Sequence, residues 1–150
     1  MYQLNLPTYE LSFENRGGKN LVFDVSRKKY VALTPEEFVR QQFLHFLIEE
    51  KKYPKSLLAI EVSLKINNLN KRADMVLFDT AGKARVIIEC KAPEVSITQK
   101  TFDQIVRYNM NYSADYLIVT NGLSHYCAQI LYETNSYRFL KDIPDFAQIT

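Results

Sequence analysis

The sequence has little cysteine, no long apolar segment and almost no net charge, and each shortage excludes a class of protein. Cys90 and Cys127 are its only cysteines, and neither has the cysteine–histidine spacing of a zinc site. Because Cys90 lies in an apolar stretch, both are expected to be reduced core thiols of a cytoplasmic protein. No apolar run approaches the roughly 18 residues of a membrane helix. The first ten residues, MYQLNLPTYE, lack the basic and apolar regions of a signal peptide.

The net charge of +2 does not by itself indicate a nucleic-acid partner. The positive charge is nevertheless clustered, at 27–29, at 51–55 and at 71–72. Such clusters can follow a phosphate backbone, or they can be ordinary solvated loop charges, and both interpretations remain open. A chain of 150 residues that is 47% hydrophobic can bury its own core. We therefore expect one folded domain, 1–150.

The apolar patterning predicts an α/β fold. Two short strands, 9–13 and 21–25, flank the turn-rich ENRGGKN, and TPEE (34–37) has the residues that open a helix. The later segments are strands over 57–66, 75–79 and 84–90, a helix over 99–112, a strand over 115–122, either kind of element over 125–132, and a short strand over 137–139. This order predicts a mixed β-sheet with a meander, flanked by helices that cover both faces of its apolar strands.

Two acidic residues should meet on neighbouring strands of the meander. A turn at Ala81-Gly82 places Asp74 directly opposite Glu89, with their Cβ atoms about 4.5–5.5 Å apart. Lys91 shares the face of Glu89, because side chains alternate along a strand. Opposed carboxylates repel unless a cation lies between them, and hard oxygen ligands suit Mg²⁺ or Mn²⁺. The alternative is a surface cluster in which the lysine neutralises one acid.

The wider pattern resembles a known nuclease group. The stretches YVALTPEEFVRQ, YPKSLLAIEVSL, KRADMVLFD, VIIECKAP, QIVRYN and YLIVTNG occur in this order. Together they resemble the PD-(D/E)XK nuclease superfamily, and within it the nuclease-type domain at the N-terminus of type I restriction enzyme R subunits. The resemblance covers roughly residues 21–123 and implies a restriction-endonuclease-like core.

The resemblance also implies roles for individual residues. Asp74 and Glu89 would hold Mg²⁺ or Mn²⁺ together with the backbone carbonyl of Cys90. Lys91 would orient or activate the attacking water and stabilise the developing charge. Hydrolysis of a phosphodiester needs a nucleophile that forms at neutral pH and a neutralised phosphate, and a metal held by two carboxylates supplies both.

The first predicted helix carries a further acid with two possible roles. By the resemblance, Glu37 completes the metal shell. By local geometry, Thr34-x-x-Glu37 is a capping box, in which the glutamate bonds back to the backbone of the cap. Both interpretations remain open. Arg40 and Gln41 follow at helical spacing and could reach the same pocket, although a solvated face is the favoured interpretation.

The second predicted helix carries a Gln-xxx-Tyr motif, which some members of the superfamily share. Gln104 and Tyr108 lie on one helix face, and the resemblance implies that they position the scissile phosphate or nearby DNA. Ordinary helix surface is the alternative for both residues.

The expected function is therefore a Mg²⁺-dependent DNA endonuclease of restriction type. The alternatives are a non-catalytic module that binds nucleic acid or assembles with other chains, and a structural domain whose acids merely hold a metal or a proton. The expected partners are DNA, a second copy in a homodimer, and a motor or specificity subunit in trans. The motor and partner-binding regions of an R subunit are absent from this sequence, which argues against a role in ATP-driven restriction. No membrane partner is expected.

Overall fold

The computed structural model describes residues 3–149, which form two sheets and three helices. A small antiparallel sheet comes first, with strands β1 (Phe13–Arg16), β2 (Lys19–Asp24) and β3 (Lys29–Ala32). A six-stranded sheet follows in chain order, with strands β4 (Leu58–Ile66), β5 (Leu69–Phe78), β6 (Ala84–Cys90), β7 (Tyr116–Thr120), β8 (His125–Leu131) and β9 (Ser136–Leu140). The helices are α1 (Pro35–Glu49), α2 (Gln99–Asn109) and the short α3 (Phe146–Ile149).

The six-stranded sheet is mixed, which confirms the predicted fold class. Its neighbouring strands are antiparallel except β6 and β7, which run parallel. A parallel pair needs a crossover connection, and α2 provides it. The segment 125–132, for which both kinds of element were open, is strand β8. No helix within residues 3–149 is long and apolar enough to cross a membrane.

Each face of the large sheet is covered by one of the two long helices. Phe43 and Leu47 of α1 are buried in one apolar cluster with Ile88 of β6. Phe102 of α2 is buried in the other cluster with Ile87 of β6. Consecutive strand residues therefore serve opposite layers, as the period of a strand requires. Burial of this apolar surface on both faces is the main force that holds the layers together.

The small sheet differs from the sequence prediction in its bounds. Strands were expected over 9–13 and 21–25, but β1 and β2 run up to Gly17 and Gly18, which both have positive φ. Such a two-residue turn matches the twist of a hairpin, so pairing extends to its edge. The third strand was not predicted, because its four residues are too few to show a pattern. The prediction was therefore wrong in these bounds.

The β5–β6 hairpin reaches the predicted register by a different turn. The strands pair Leu77 with Val86, as expected, but the turn is longer: the Asp79 N–H donates to the Lys83 carbonyl at 2.9 Å. The register then shifts next to Phe78, and Arg85 is the extra residue of a β-bulge. The bulge offsets the different turn, and the rungs beyond it keep the predicted pairing.

Helix α1 begins as predicted but is buried on its polar side as well. Thr34 Oγ1 accepts from the Glu37 N–H at 3.0 Å, and Pro35 occupies the first turn. Arg40 is only 6% exposed and Gln41 is fully buried, so the expectation of a solvated face was wrong. The reason is tertiary, because Arg27 of the β2–β3 turn and the acids Glu61 and Asp74 of the large sheet contact this side of the helix. Periodicity within the helix cannot show that cover.

Arg27 links the small sheet to α1 and to β4. Its guanidinium contacts Asp24 at 2.6 Å, Glu37 at 3.3 Å and Glu61 at 3.2 Å. Asp24 is fully buried; burial raises its pKa, but hydrogen bonds from the Arg27 backbone and side chain hold that pKa below its ordinary value. Glu61 has φ +50° within a strand, a strained conformation that only its surroundings can maintain.

We expect Arg27→Met to lower the free energy of unfolding by about 1.5–3 kcal/mol, because buried Asp24 loses a charged donor. The matched control is Arg72→Met. Arg72 contacts the same Glu61 at 3.1 Å but is 66% exposed, so its loss should cost no more than about 0.5 kcal/mol. Urea unfolding of both variants measures the difference. Equal losses would contradict this account of the network.

His125 fastens the chain before β1 to the large sheet. Its Nε2 lies 2.8 Å from the carbonyl oxygen of Asn5 and must carry the proton, because a carbonyl only accepts. Nδ1 then accepts from the Thr120 hydroxyl at 2.7 Å. Burial lowers the pKa of His125 below its ordinary value of about 6.5, although the bond to Asn5 raises it. The structure therefore favours neutral His125.

The contribution of neutral His125 to stability should be fully present at pH 8 and lost as the pH falls below about 6.5, because the unfolded chain takes up the proton first. The free energy of unfolding of the wild type minus that of His125→Gln should therefore shrink between pH 8 and pH 5. Chemical denaturation across this range measures the difference. A constant difference would show that the histidine does not titrate on unfolding.

Candidate functional site

Asp74 lies where the ladders on both sides of β5 are interrupted. The β5–β6 pairs start at Met75 and Ile88, and beyond them Asp74 Oδ2 accepts from the Cys90 N–H at 2.8 Å. On the other side, the β4–β5 ladder omits the rung of Glu61 and Asp74. The Asp74 side chain thus replaces a backbone hydrogen-bond acceptor at the carboxyl end of β6. This is the region where sites of α/β sheets lie.

The predicted pair of carboxylates is brought together there. The register places Asp74 on the rung of Glu89, close enough for each carboxyl group to affect the charge of the other. Burial raises the pKa of Glu89 to about 7; Lys71 opposes this shift, and Asp74 adds to it. A buried pair of like charges needs a cation or a proton. Residues 3–149 supply two cations, one on each side of the pair.

Arg40 of α1 neutralises Asp74. Its Nη2 lies 2.9 Å from Asp74 Oδ1, and its Nη1 lies 2.6 Å from Glu37 Oε1. The same guanidinium reaches Glu36 at 3.3 Å and Glu61 at 3.5 Å. Burial alone would lower the pKa of Arg40, but Glu37 and Asp74 hold that pKa above its ordinary value. Arg40 is therefore a fixed charge surrounded by four carboxylates.

Lys71 of β5 neutralises Glu89. Its ammonium is in direct contact with Glu89 Oε1 and is largely buried, with 12% of the side chain exposed. Glu89 Oε1 has no partner with good hydrogen-bond geometry in the described chain. The Lys71 Nζ also lies 5.8 Å from the centre of the Tyr108 ring. The lysine thus joins the acid to helix α2.

A hollow of about 240 Å³ opens beside Glu89. It is lined by Lys71, Glu89, Lys91, Gln104, Ile105, Tyr108 and Asn109. The structure therefore brings four of the predicted site residues together on the α2 side of the sheet. Two further groups suit a polar ligand here. Asn109 is 1% exposed, yet its Oδ1 has no partner within residues 3–149. The Lys91 ammonium forms no ion pair with any described residue.

Glu37 lies apart from this hollow. It lines a separate groove on the α1 side, of about 570 Å³, with Arg27, Glu61 and Glu94 among its neighbours. Its backbone N–H is capped by Thr34, but its carboxylate accepts from Arg27, Arg40 and Gln41 rather than bonding back to the cap. Arg40 thus stands between Glu37 and Asp74.

The described residues contain no group of three or more histidine, cysteine or acidic side chains placed to hold a metal ion. Two carboxylates and a carbonyl are a different donor set, and Asp74, Glu89 and Cys90 fit it. Mg²⁺ commonly takes only one or two carboxylates and keeps several waters. Burial is the main cause of the raised pKa of Glu89, and a cation bound beside the pair would favour its charged form. The Cys90 thiol is itself unsuited, because burial keeps its pKa raised.

Sequence reasoning favoured a solvated face for Arg40 over a place in the site, and it did not assign Lys71 to the site at all. Lys71 stood in one of the basic clusters, where it had the same appearance as a loop lysine. Arg27, in the basic cluster at 27–29, likewise forms internal ion pairs. Only the contacts of each cation separate an internal counter-ion from a surface charge, and composition does not contain that information.

Comparison with solved structures places the fold among restriction-enzyme subunits. A fragment described as an HsdR subunit of a type I restriction enzyme from Vibrio vulnificus YJ016 superposes with a TM-score of 0.53 at 16% identity. The match covers 78% of this chain but 25% of that one, so the chain corresponds to about a quarter of that structure. At this identity the similarity shows the fold.

Comparison with protein families gives the assignment. No curated protein matches the chain. The family model described as type I restriction enzyme R protein N terminus matches residues 35–144. The matched segment begins at α1, includes both carboxylates and α2, and ends after β9. The chain therefore belongs to the family of type I restriction enzyme R protein N-terminal domains.

Proposed function

We propose that this chain is a metal-dependent DNA endonuclease domain of the PD-(D/E)XK type, which hydrolyses phosphodiester bonds. The observation that carries the proposal is the position of Asp74 and Glu89 on one rung of β5 and β6, beside a hollow lined by Lys91, which forms no ion pair within residues 3–149. Membership of a restriction-subunit family supports a nuclease-related role. Further support comes from the carboxylates that could bind a cation, from the charge of Lys91 and from the hollow beside them.

The proposed cation site consists of Asp74, Glu89 and the carbonyl of Cys90. Mg²⁺ or Mn²⁺ bound there would generate hydroxide at neutral pH and polarise the phosphate. Lys91 holds a positive charge beside Glu89, where it offsets the charge that develops on the phosphate oxygens. Glu37 is too strongly engaged with arginine to act as a ligand in the described conformation, so a direct role for it requires Arg40 to move.

Helix α2 supplies the proposed contacts to DNA. Gln104 and Tyr108 lie one turn apart and line the same hollow as Glu89 and Lys91. The Gln104 amide can donate to a phosphate oxygen, and Tyr108, at 45% exposure, can contact the sugar or the phosphate. Positioning of this kind lowers the barrier because the reacting groups are already aligned. We propose further that DNA cleavage uses a second copy of the chain, or a motor or specificity subunit in trans.

A second candidate is a module that binds nucleic acid or assembles with other subunits without turnover. One observation favours it, since Arg40 and Lys71 already neutralise both carboxylates. A domain that never binds metal needs such counter-ions permanently. A nuclease needs at least one of them to leave.

We expect the wild type to cut supercoiled DNA in Mg²⁺ or Mn²⁺ and not in chelator, and Lys91→Ala to lose at least about a hundredfold of that rate, because one charge in the transition state is removed. The matched control is Lys83→Ala, whose side chain is 56% exposed on the β5–β6 turn. Gel assays measure nicked and linear products. Binding of DNA by both proteins without cutting in either ion would establish the second candidate instead.

Gln104→Ala should slow cleavage about tenfold or more with little change in the melting temperature, because it removes a positioning contact on the hollow and no described hydrogen bond. Gln99→Ala is the matched control on the same helix. Gln99 contacts Tyr137 at 3.4 Å and lines a different hollow. Single-turnover cleavage rates compare the two variants. Equal rates for Gln104→Ala and the wild type would exclude Gln104 from the reaction.

A further inference from the structure

We propose that Lys71 is an exchangeable counter-ion, which neutralises Glu89 in the metal-free protein and leaves Glu89 when a divalent cation binds. This inference rests on the proposed cation site. Its starting observation is that the Lys71 ammonium contacts Glu89 Oε1, one of the oxygens that the cation would use. The two positive charges cannot hold the same oxygen at contact distance, because their mutual repulsion would be strong in this buried place.

The structure shows which of the two resident cations can leave. Arg40 is held by four carboxylates at 2.6–3.5 Å and is packed within α1, so its departure would leave several buried acids unpaired. Lys71 has one carboxylate partner, Glu89. A lysine is also a point charge on a flexible stem, whereas arginine holds its partners with a rigid fork. Lys71 is therefore the residue that exchanges with the divalent cation.

The displaced ammonium has a place to go. The Lys71 Nζ already lies 5.8 Å from the centre of the Tyr108 ring, and an aromatic face attracts a cation. Both side chains line the hollow that also contains Lys91 and Gln104. A shift away from Glu89 would move Lys71 into the space assigned to the phosphate. Exchange would then bring a second lysine to that space at the moment when the cation binds.

Charge balance supports exchange over simple addition. Arg40 already neutralises Asp74, and Lys71 neutralises Glu89. A divalent cation added to this balanced pair would leave an excess of positive charge at a site of low exposure. Release of Lys71 from Glu89 moves one of these charges to the hollow, where a phosphate can neutralise it. The lysine therefore acts as a positioning residue for the acid in the metal-free protein.

The test is binding of Mn²⁺ alone, by calorimetry at pH 7.5, to the wild type, to Lys71→Met and to the control Lys65→Met, which removes an exposed lysine of β4. We expect Lys71→Met to bind Mn²⁺ about tenfold or more tightly than the wild type, since one charge-assisted contact no longer competes. Lys65→Met should bind as the wild type does. Equal or weaker binding by Lys71→Met, or no binding by any of the three, would overturn the proposal.

Thermal unfolding gives a second readout. In chelator, Lys71→Met should melt below the wild type, because Glu89 keeps a buried charge without a partner, and Mn²⁺ should raise its melting temperature by more than it raises that of the wild type. The double variant Lys71→Met/Glu89→Gln should recover stability in chelator and lose the gain from Mn²⁺. If Lys71→Met does not fold, Lys71→Gln removes the charge but keeps a donor to Glu89, and the same gain in Mn²⁺ affinity is expected.

The outcomes separate this inference from the proposed function. Tighter Mn²⁺ binding by Lys71→Met without DNA cleavage by the wild type would reject the nuclease and keep the exchange. Metal-dependent cleavage by the wild type with no gain in Mn²⁺ affinity for Lys71→Met would reject the exchange and keep the nuclease.

Discussion

Two neighbouring carboxylates of low exposure are the constraint on which the candidate site depends. Asp74 and Glu89 lie on adjacent strands between two layers of helix, where little water screens their repulsion. Such a pair persists only with positive charge beside it, and Arg40 and Lys71 supply that charge from opposite sides. Arg40, on the buried polar face of α1, and Lys71 of β5 meet this requirement.

The network around Arg40 extends the same constraint into the fold. Glu37 connects Arg40 to Arg27, and Arg27 connects the helix to the small sheet. Glu61, whose φ is positive, contacts both arginines. Ion pairs thus link the small sheet to α1 and to β4. Arg40 and Lys71 differ in one respect that matters for function, because one is locked by four acids and the other by one.

Sequence reasoning located the acids but not their counter-ions. The register of β5 and β6 was predicted from a short turn and from alternation. The predicted turn was wrong, but the predicted register was correct because the bulge at Arg85 offsets the longer turn. Lys91 was predicted for the same reason, because alternation along the strand places it on the face of Glu89. The cations that balance the pair come from residues distant in the chain or from a basic stretch that has the appearance of a loop. Their role depends on contacts that no local pattern encodes.

The sequence by itself determined the order of the elements, the mixed sheet and the meeting of Asp74 with Glu89, because these follow from hydrophobic period, capping residues and strand register, which are local properties. Only the tertiary structure decided which charges are internal. It buried Arg40 against the acids of β4 and β5, placed Lys71 on Glu89 and turned Glu37 toward arginine. Electrostatic partners are chosen by proximity and burial across layers, and these quantities exist only once the chain is folded.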